Sequence, residues 1–89
     1  MPTDVQPEQL NELFRQNIRQ RREDLGLSQN ELAERMTKRR RGKIKVHGPY
    51  ISALESGARV PLVGMLAELA DALETTPDAL LSKPEKISA

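Results

Sequence analysis

Seven of the fourteen Lys and Arg residues, and none of the thirteen acids, fall between Arg35 and Gly48, R-M-T-K-R-R-R-G-K-I-K-V-H-G. The rest of the chain holds the other seven bases and all thirteen acids, so a net charge of +1 hides a basic segment on an acidic body. The chemistry this offers is polyanion binding. Arg39, Arg40 and Arg41 present planar forks that fit guanine edges or a narrow minor groove. Lys38, Lys43 and Lys45 offer point charges for phosphates, and His47 suits either a phosphate contact or a solvated loop. Three readings of the segment stand: a DNA arm, a solvated loop, or a binder of RNA or an acidic protein. Against RNA, Tyr50 is the one aromatic side chain near enough to stack a base. Bond-making chemistry finds no support. One His, no Cys and no Gly-rich phosphate loop leave no catalytic, metal or cofactor site to assemble, so the chain is not expected to be an enzyme.

The 89 residues suffice for one domain, with a core built from Leu, Ile, Val, Met and Ala, since there is one Phe, one Tyr and no Trp. No apolar run approaches a membrane span and the first residues lack signal-peptide character, so a cytoplasmic protein is expected. Residues 1–6 read as a flexible lead-in, residues 7–81 as the domain and residues 82–89 as a flexible tail.

Five helices are predicted and no sheet. Leu10, Leu13, Phe14, Ile18 and Leu25 recur at helical spacing, giving a first helix over about 7–24 that opens on Pro7 and closes on a left-handed Gly26. Ser28 and Glu31 form a capping box at the start of the second, with Leu27 and Leu32 as its hydrophobic staple. This helix loses definition near Thr37, although 38–41 can extend it. Lys43 to Val46 alternates basic and β-branched residues, which suits a short extended segment. A third helix follows over about 49–56, opened by Pro49 and ended by Gly57. The fourth runs over about 61–73, with Gly64 as an unfavourable residue that close backbone approach to DNA or a neighbouring helix would explain, as would simple drift. Thr76-Pro77-Asp78 starts a short fifth helix over about 77–81.

The strings I-R-Q-R-R-E-D-L-G-L-S-Q-N-E-L-A-E-R-M, Y-I-S-A-L-E-S-G-A-R-V-P and L-A-E-L-A-D-A-L-E-T-T-P-D-A-L-L together resemble the lambda-repressor and Cro-like helix-turn-helix family, also called XRE, over roughly residues 17–81. The resemblance implies an all-α, five-helix domain whose third helix enters the DNA major groove while the second crosses the backbone. It places Gln29 at a phosphate and pairs Arg22 with Glu55. Base or groove contacts fall to Pro49, Tyr50, Ser52 and Ala53, and Arg59 lies where the family meets the backbone.

Two departures from the family pattern stand out. Its turn between the second and third helices takes three or four residues. Leu32 to Ile51 here is about eight residues longer than that spacing allows, so residues 38–45 read as a basic insertion inside the motif. The first turn of the third helix also carries Gly48 and Pro49, which have no hydrogen-bonding side chains, and Ala53 offers only contact with a thymine methyl. The arm or DNA shape must then supply readout.

The function implied is a sequence-specific regulator of double-stranded DNA. A repressor is expected, bacterial or phage and nucleoid-associated, acting as a homodimer on a palindromic operator. Leu80, Leu81 and Ile87 are candidates for the dimer surface or for closing the core. The alternative is a protein-interaction module, such as an antitoxin whose main partner is a toxin.

Overall fold

Each helix begins and ends on local chemistry. In a computed structural model that describes residues 7–39 and 45–83, all regular structure among those residues is helical. The elements are α1 (Pro7–Asp24), α2 (Gln29–Arg39), α3 (Gly48–Ser56), α4 (Val63–Ala72) and α5 (Pro77–Leu80). The lead-in 1–6, the tail residues 84–89 with Ile87, and Arg40, Arg41, Gly42, Lys43 and Ile44 lie outside the described residues.

α1 buries Phe14 and Ile18, one turn apart on its inner face. Its end is closed by two backbone bonds, Gly26 N–H to Glu23 O (2.9 Å) and Leu27 N–H to Arg22 O (3.0 Å). That closure needs a residue at positive φ, which Gly26 supplies at +72° without strain.

α2 opens on the reciprocal bonds of a capping box. The Ser28 N–H donates to Glu31 Oε1 (2.7 Å) and the Glu31 N–H donates to Ser28 Oγ (3.0 Å). Ser28→Ala should cost about 1 kcal/mol of stability, read by denaturant titration. The Ser28 N–H, and secondarily its hydroxyl, hold the Glu31 carboxyl below the ordinary carboxylate range. A folded pKa below the unfolded one means that this stabilisation is present above the unfolded value and is lost as pH falls through the folded one. Thermal melts of Glu31→Gln should lack that acid-side component.

α2 continues to Arg39, past the point at which the sequence becomes ambiguous. The hydroxyl of Thr37 then does two things. It donates to Ala33 O within the helix (2.9 Å), and it accepts from the Val46 N–H (2.8 Å). Val46 is buried in the core, so this bond fixes it beside the end of α2. The eight residues read as an insertion, 38–45, are bracketed by this Thr37–Val46 contact. Lys38 and Arg39 are not part of a turn but the last residues of α2. Lys45 and Val46 are non-helical, and no strand forms among the described residues.

α3 starts at Gly48, with His47 as an extended N-cap and Pro49 in the first turn, and ends at Gly57 with φ +85°. α4 begins two residues later than the sequence suggests and stops one earlier, at Ala72. Leu62 is its extended N-cap (φ −69°, ψ 159°), and the fixed φ of Pro61 suits an extended lead-in as well as a first turn. α4 ends without glycine. Glu74 takes φ +59°, and its N–H bonds Asp71 O (3.1 Å) while Thr75 N–H bonds Ala70 O (2.9 Å). Arginines from two other helices hold this end: Arg21 donates to Leu73 O (2.8 Å) and Glu74 O (3.0 Å), and Arg35 to Ala72 O (3.0 Å). Free carbonyls and the negative end of the helix dipole both favour these guanidinium groups.

α5 is capped by the Thr76 hydroxyl, which accepts from the Ala79 N–H (3.2 Å). Asn17 of α1 donates to Leu80 O and Ser82 O, both at 2.8 Å. The core joins all five helices through fully buried Ile18, Leu32, Met36, Ile51, Leu54, Leu69, Leu73 and Leu80. Leu80 thus closes the core, and Leu81 packs half-buried against it.

Candidate nucleic-acid interface

α3 is amphipathic in a way that leaves one clean outward face. Gly48, Ile51, Leu54 and Glu55 are buried, whereas Pro49, Ser52 and Ser56 are exposed and Ala53 is half-buried beside them. The exposed set follows helical spacing, so these side chains form one stripe. Tyr50 lies at its edge, half-buried against the core, and burial pushes its hydroxyl pKa up although nearby Arg59 opposes the shift. A neutral phenol at that edge keeps its hydrogen-bond donor at physiological pH.

Glu55 fixes the angle of this helix. Arg22 of α1 grips its carboxylate with both arms of the fork, Nε to Oε2 at 2.6 Å and Nη2 to Oε1 at 3.0 Å. The carboxylate in turn holds the guanidinium proton more firmly than usual. Gln29 Nε2, from the first turn of α2, donates to the same Oε1 at 3.1 Å. The remaining Arg22 donor reaches Leu27 O at 2.8 Å. Three helices therefore meet on one carboxylate, whose side chain is only 6% exposed. Arg15 adds a bond to Glu55 O (3.3 Å), and its stem lies 3.2 Å from where a Cβ on Gly57 would sit.

Gly48 has a part the sequence did not reveal. A Cβ there would lie 1.8 Å from Asn30 Oδ1, so the start of α3 runs close against α2. The obstacle is the tip of an exposed side chain that can swing away, so the contact is close without being rigid.

Around Gln29 the surface opens into a polar cleft of about 240 Å³, lined by Arg19, Arg22, Gln29, Ser52, Glu55 and Ser56. Arg22 is paired with Glu55 inside it, and Arg19 at its rim shares its charge with Glu23 through an exposed pair at 3.4 Å. The capping box occupies the N–H groups of Ser28 and Glu31, so those of Gln29 and Asn30 are what the start of α2 can offer an anion. Arg19 and Ser56 are members that sequence reasoning missed. Ser56 carries a readable signal, since it lies three and seven residues beyond Ala53 and Pro49 on the outward stripe.

The basic segment divides. Arg39 pairs with Asp71 of α4 through Nη1 to Oδ2 at 2.7 Å, and Arg35 pairs with Glu74 at 3.1 Å. Two of the seven bases thus serve the end of α4. Lys38, Lys45, His47 and Arg59 are exposed. Arg40, Arg41 and Lys43 lie outside the described residues. Among the described residues no helix is long and apolar enough to cross a membrane, and no group of three His, Cys, Asp or Glu side chains is placed to hold a metal ion.

Comparison with curated proteins and with solved structures yields no match. A family model described as a helix-turn-helix domain matches residues 13–82, which takes in most of α1 and all of α2 to α5. Its span covers the Arg22–Glu55 lock, the capped start of α2 and the outward stripe of α3, in keeping with the lambda-repressor-like resemblance. The chain belongs to the helix-turn-helix domain family.

Proposed function

We propose that the chain is a sequence-specific double-stranded DNA-binding regulator, a repressor that binds a palindromic operator as a homodimer. A helix-turn-helix domain points to DNA as the partner. The observation that carries the finer reading is the Arg22–Glu55–Gln29 lock, which presents Pro49, Ser52, Ala53 and Ser56 as one fixed stripe. A helix that reads base edges must hold its angle to the helix that crosses the backbone, and this lock joins the two. Tyr50 and Ser52 supply the hydrogen-bonding groups, Ala53 a surface for a thymine methyl, and Arg19, Gln29 and Ser56 a seat for one phosphate. Lys38, Lys45 and Arg59 neutralise further phosphates, and His47 contacts one. The readout of α3 is sparse, so Arg39, Arg40 and Arg41 are proposed as a second reading element, in a groove beside the half-site.

A second reading, a module whose main partner is a protein, draws on the exposed apolar residues Val60, Leu62 and Val63. Selecting bound sequences from a random duplex pool separates the two. A palindromic consensus with half-sites one helical turn apart is expected for the regulator. The absence of any enriched sequence would refute sequence-specific binding and favour the interaction module.

A further inference from the structure

Among the described residues, the large apolar side chains left exposed are Val60, Leu62 and Val63, at 64%, 82% and 86%, and Leu10 of α1 at 38%. The first three form one short run joining α3 to α4. From Val60 to Ala67 the sequence V-P-L-V-G-M-L-A has no charge, in a chain of which 30% is charged. None of these three side chains is needed to close the core, which the buried faces of α4 and α5 complete.

Gly64 is an independent oddity at the same place. It lies in the first turn of α4, and a Cβ added there would meet nothing within 4 Å. Nothing inside the chain therefore requires glycine, although glycine weakens a helix. Open space over a glycine suits the backbone of another molecule passing close by.

We infer that Val60, Leu62, Val63 and Gly64 form the surface on which a second copy of this chain docks. The inference names the contact behind the homodimer of the regulator reading and rests on that reading. Charge selects the occupant. A two-fold contact brings each residue near its own symmetry mate, so like charges near the axis repel and a neutral apolar patch pairs well with itself. Position selects it too. The Arg59 N–H bonds Ala53 O at 3.1 Å, which folds the start of this run back on α3. A two-fold axis through the patch therefore lies near the end of α3 and relates the two recognition helices by the symmetry of a palindromic site. Leu80, by contrast, is buried and closes the core.

The test is sedimentation equilibrium on the full chain without DNA, paired with binding to a half-site and to a palindromic duplex. The wild type should be dimeric. Leu62→Asp with Val63→Asp should weaken the dimer by about a hundredfold or more, as for two central contacts of an interface. Helicity should not change, because both side chains face solvent and aspartate is a good N-cap. Leu62→Ser with Val63→Ser, which adds no negative charge beside Arg59, should also weaken the dimer and should leave half-site affinity unchanged. Gly64→Glu gives a second reading in opposite directions: the melting temperature of the monomer rises and the dimer weakens. A double variant that dimerises like the wild type would overturn the inference. So would a wild type that stays monomeric both free and on the palindrome. A wild-type dimer that the double variant breaks, but that binds no duplex, would uphold the surface and refute the regulator.

Discussion

Glu55→Ala is expected to lower the unfolding free energy by about 2–4 kcal/mol, between the small worth of an exposed pair and the larger loss seen when a fully buried one is broken. The side chains of Arg22 and Glu55 are 12% and 6% exposed, which puts the pair near the buried limit. Its place on the wall of an open cleft lets some water reach the orphaned guanidinium and keeps the loss below that limit. Three donors lose their acceptor at once: Arg22 Nε, Arg22 Nη2 and Gln29 Nε2. In a small domain this is a large part of the total stability. Glu55→Gln keeps an acceptor oxygen and should lose less. Truncating Arg22 in addition to Glu55 should cost less than the two single losses together, because it removes the uncompensated charge. Urea titrations of the four proteins give the coupling. A loss below about 1 kcal/mol for Glu55→Ala would make the pair an ordinary surface contact.

The same substitution should reach DNA binding by a separate route. Arg22 comes from α1, Gln29 from the start of α2 and Glu55 from the last turn of α3. Without the carboxylate, the outward stripe of α3 loses its fixed angle to the proposed phosphate seat around Gln29. Sequence discrimination should fall more than non-specific affinity, since the cleft becomes more positive as the base contacts loosen.

What could be read from the sequence was local. Gly26, the Ser28–Glu31 box, Pro49, Gly57 and Thr76 each act within a few residues of themselves, so α1, α2, α3 and α5 are legible. The start of α4 was misplaced because Pro61 carries the same signal for an extended approach as for a first turn. Its end gave no glycine to read, since Glu74 takes the left-handed position instead. The bonds that hold this end span 32 to 53 residues, from Arg21, Arg35 and Arg39. No pattern of neighbours shows them. They also changed the meaning of the basic segment: its charge looked uniform in sequence, yet Arg35 and Arg39 are engaged by the carbonyls and acids at one helix end. Thr37 was equally silent, marking only the point where the second helix loses definition until the fold brings Val46 onto its hydroxyl. Of the residues proposed to bind, the outward stripe was legible from helical spacing, whereas Arg19 entered only once α1 was seen beside the start of α2.

Replacing Arg39, Arg40 and Arg41 together by alanine should flatten the salt dependence of duplex binding by up to about 2.7 units of log K against log salt, or 0.9 for each phosphate left without its arginine. At physiological salt this amounts to roughly a hundredfold in affinity. The engagement of Arg39 with Asp71 sets how the loss is shared. Both side chains of that pair are largely exposed, at 40% and 67%, so it is worth about 1 kcal/mol at most. A phosphate in a duplex competes well at that level, because its bond to a guanidinium is charge-assisted and releases a counterion. Arg39 should therefore leave Asp71 on binding, and Asp71→Asn should tighten binding by up to about fivefold by removing the competitor. If Arg39 instead stays at the end of α4, Asp71→Asn will leave affinity unchanged and the triple variant will lose no more than about 1.8 units, those of Arg40 and Arg41. An unchanged slope in the triple variant would take the arm out of the DNA interface. The Thr37–Val46 contact lies outside all these substitutions, so the domain should keep its wild-type melting temperature apart from the small contribution of the Arg39 pair. Loss of affinity can then be assigned to the arm rather than to unfolding.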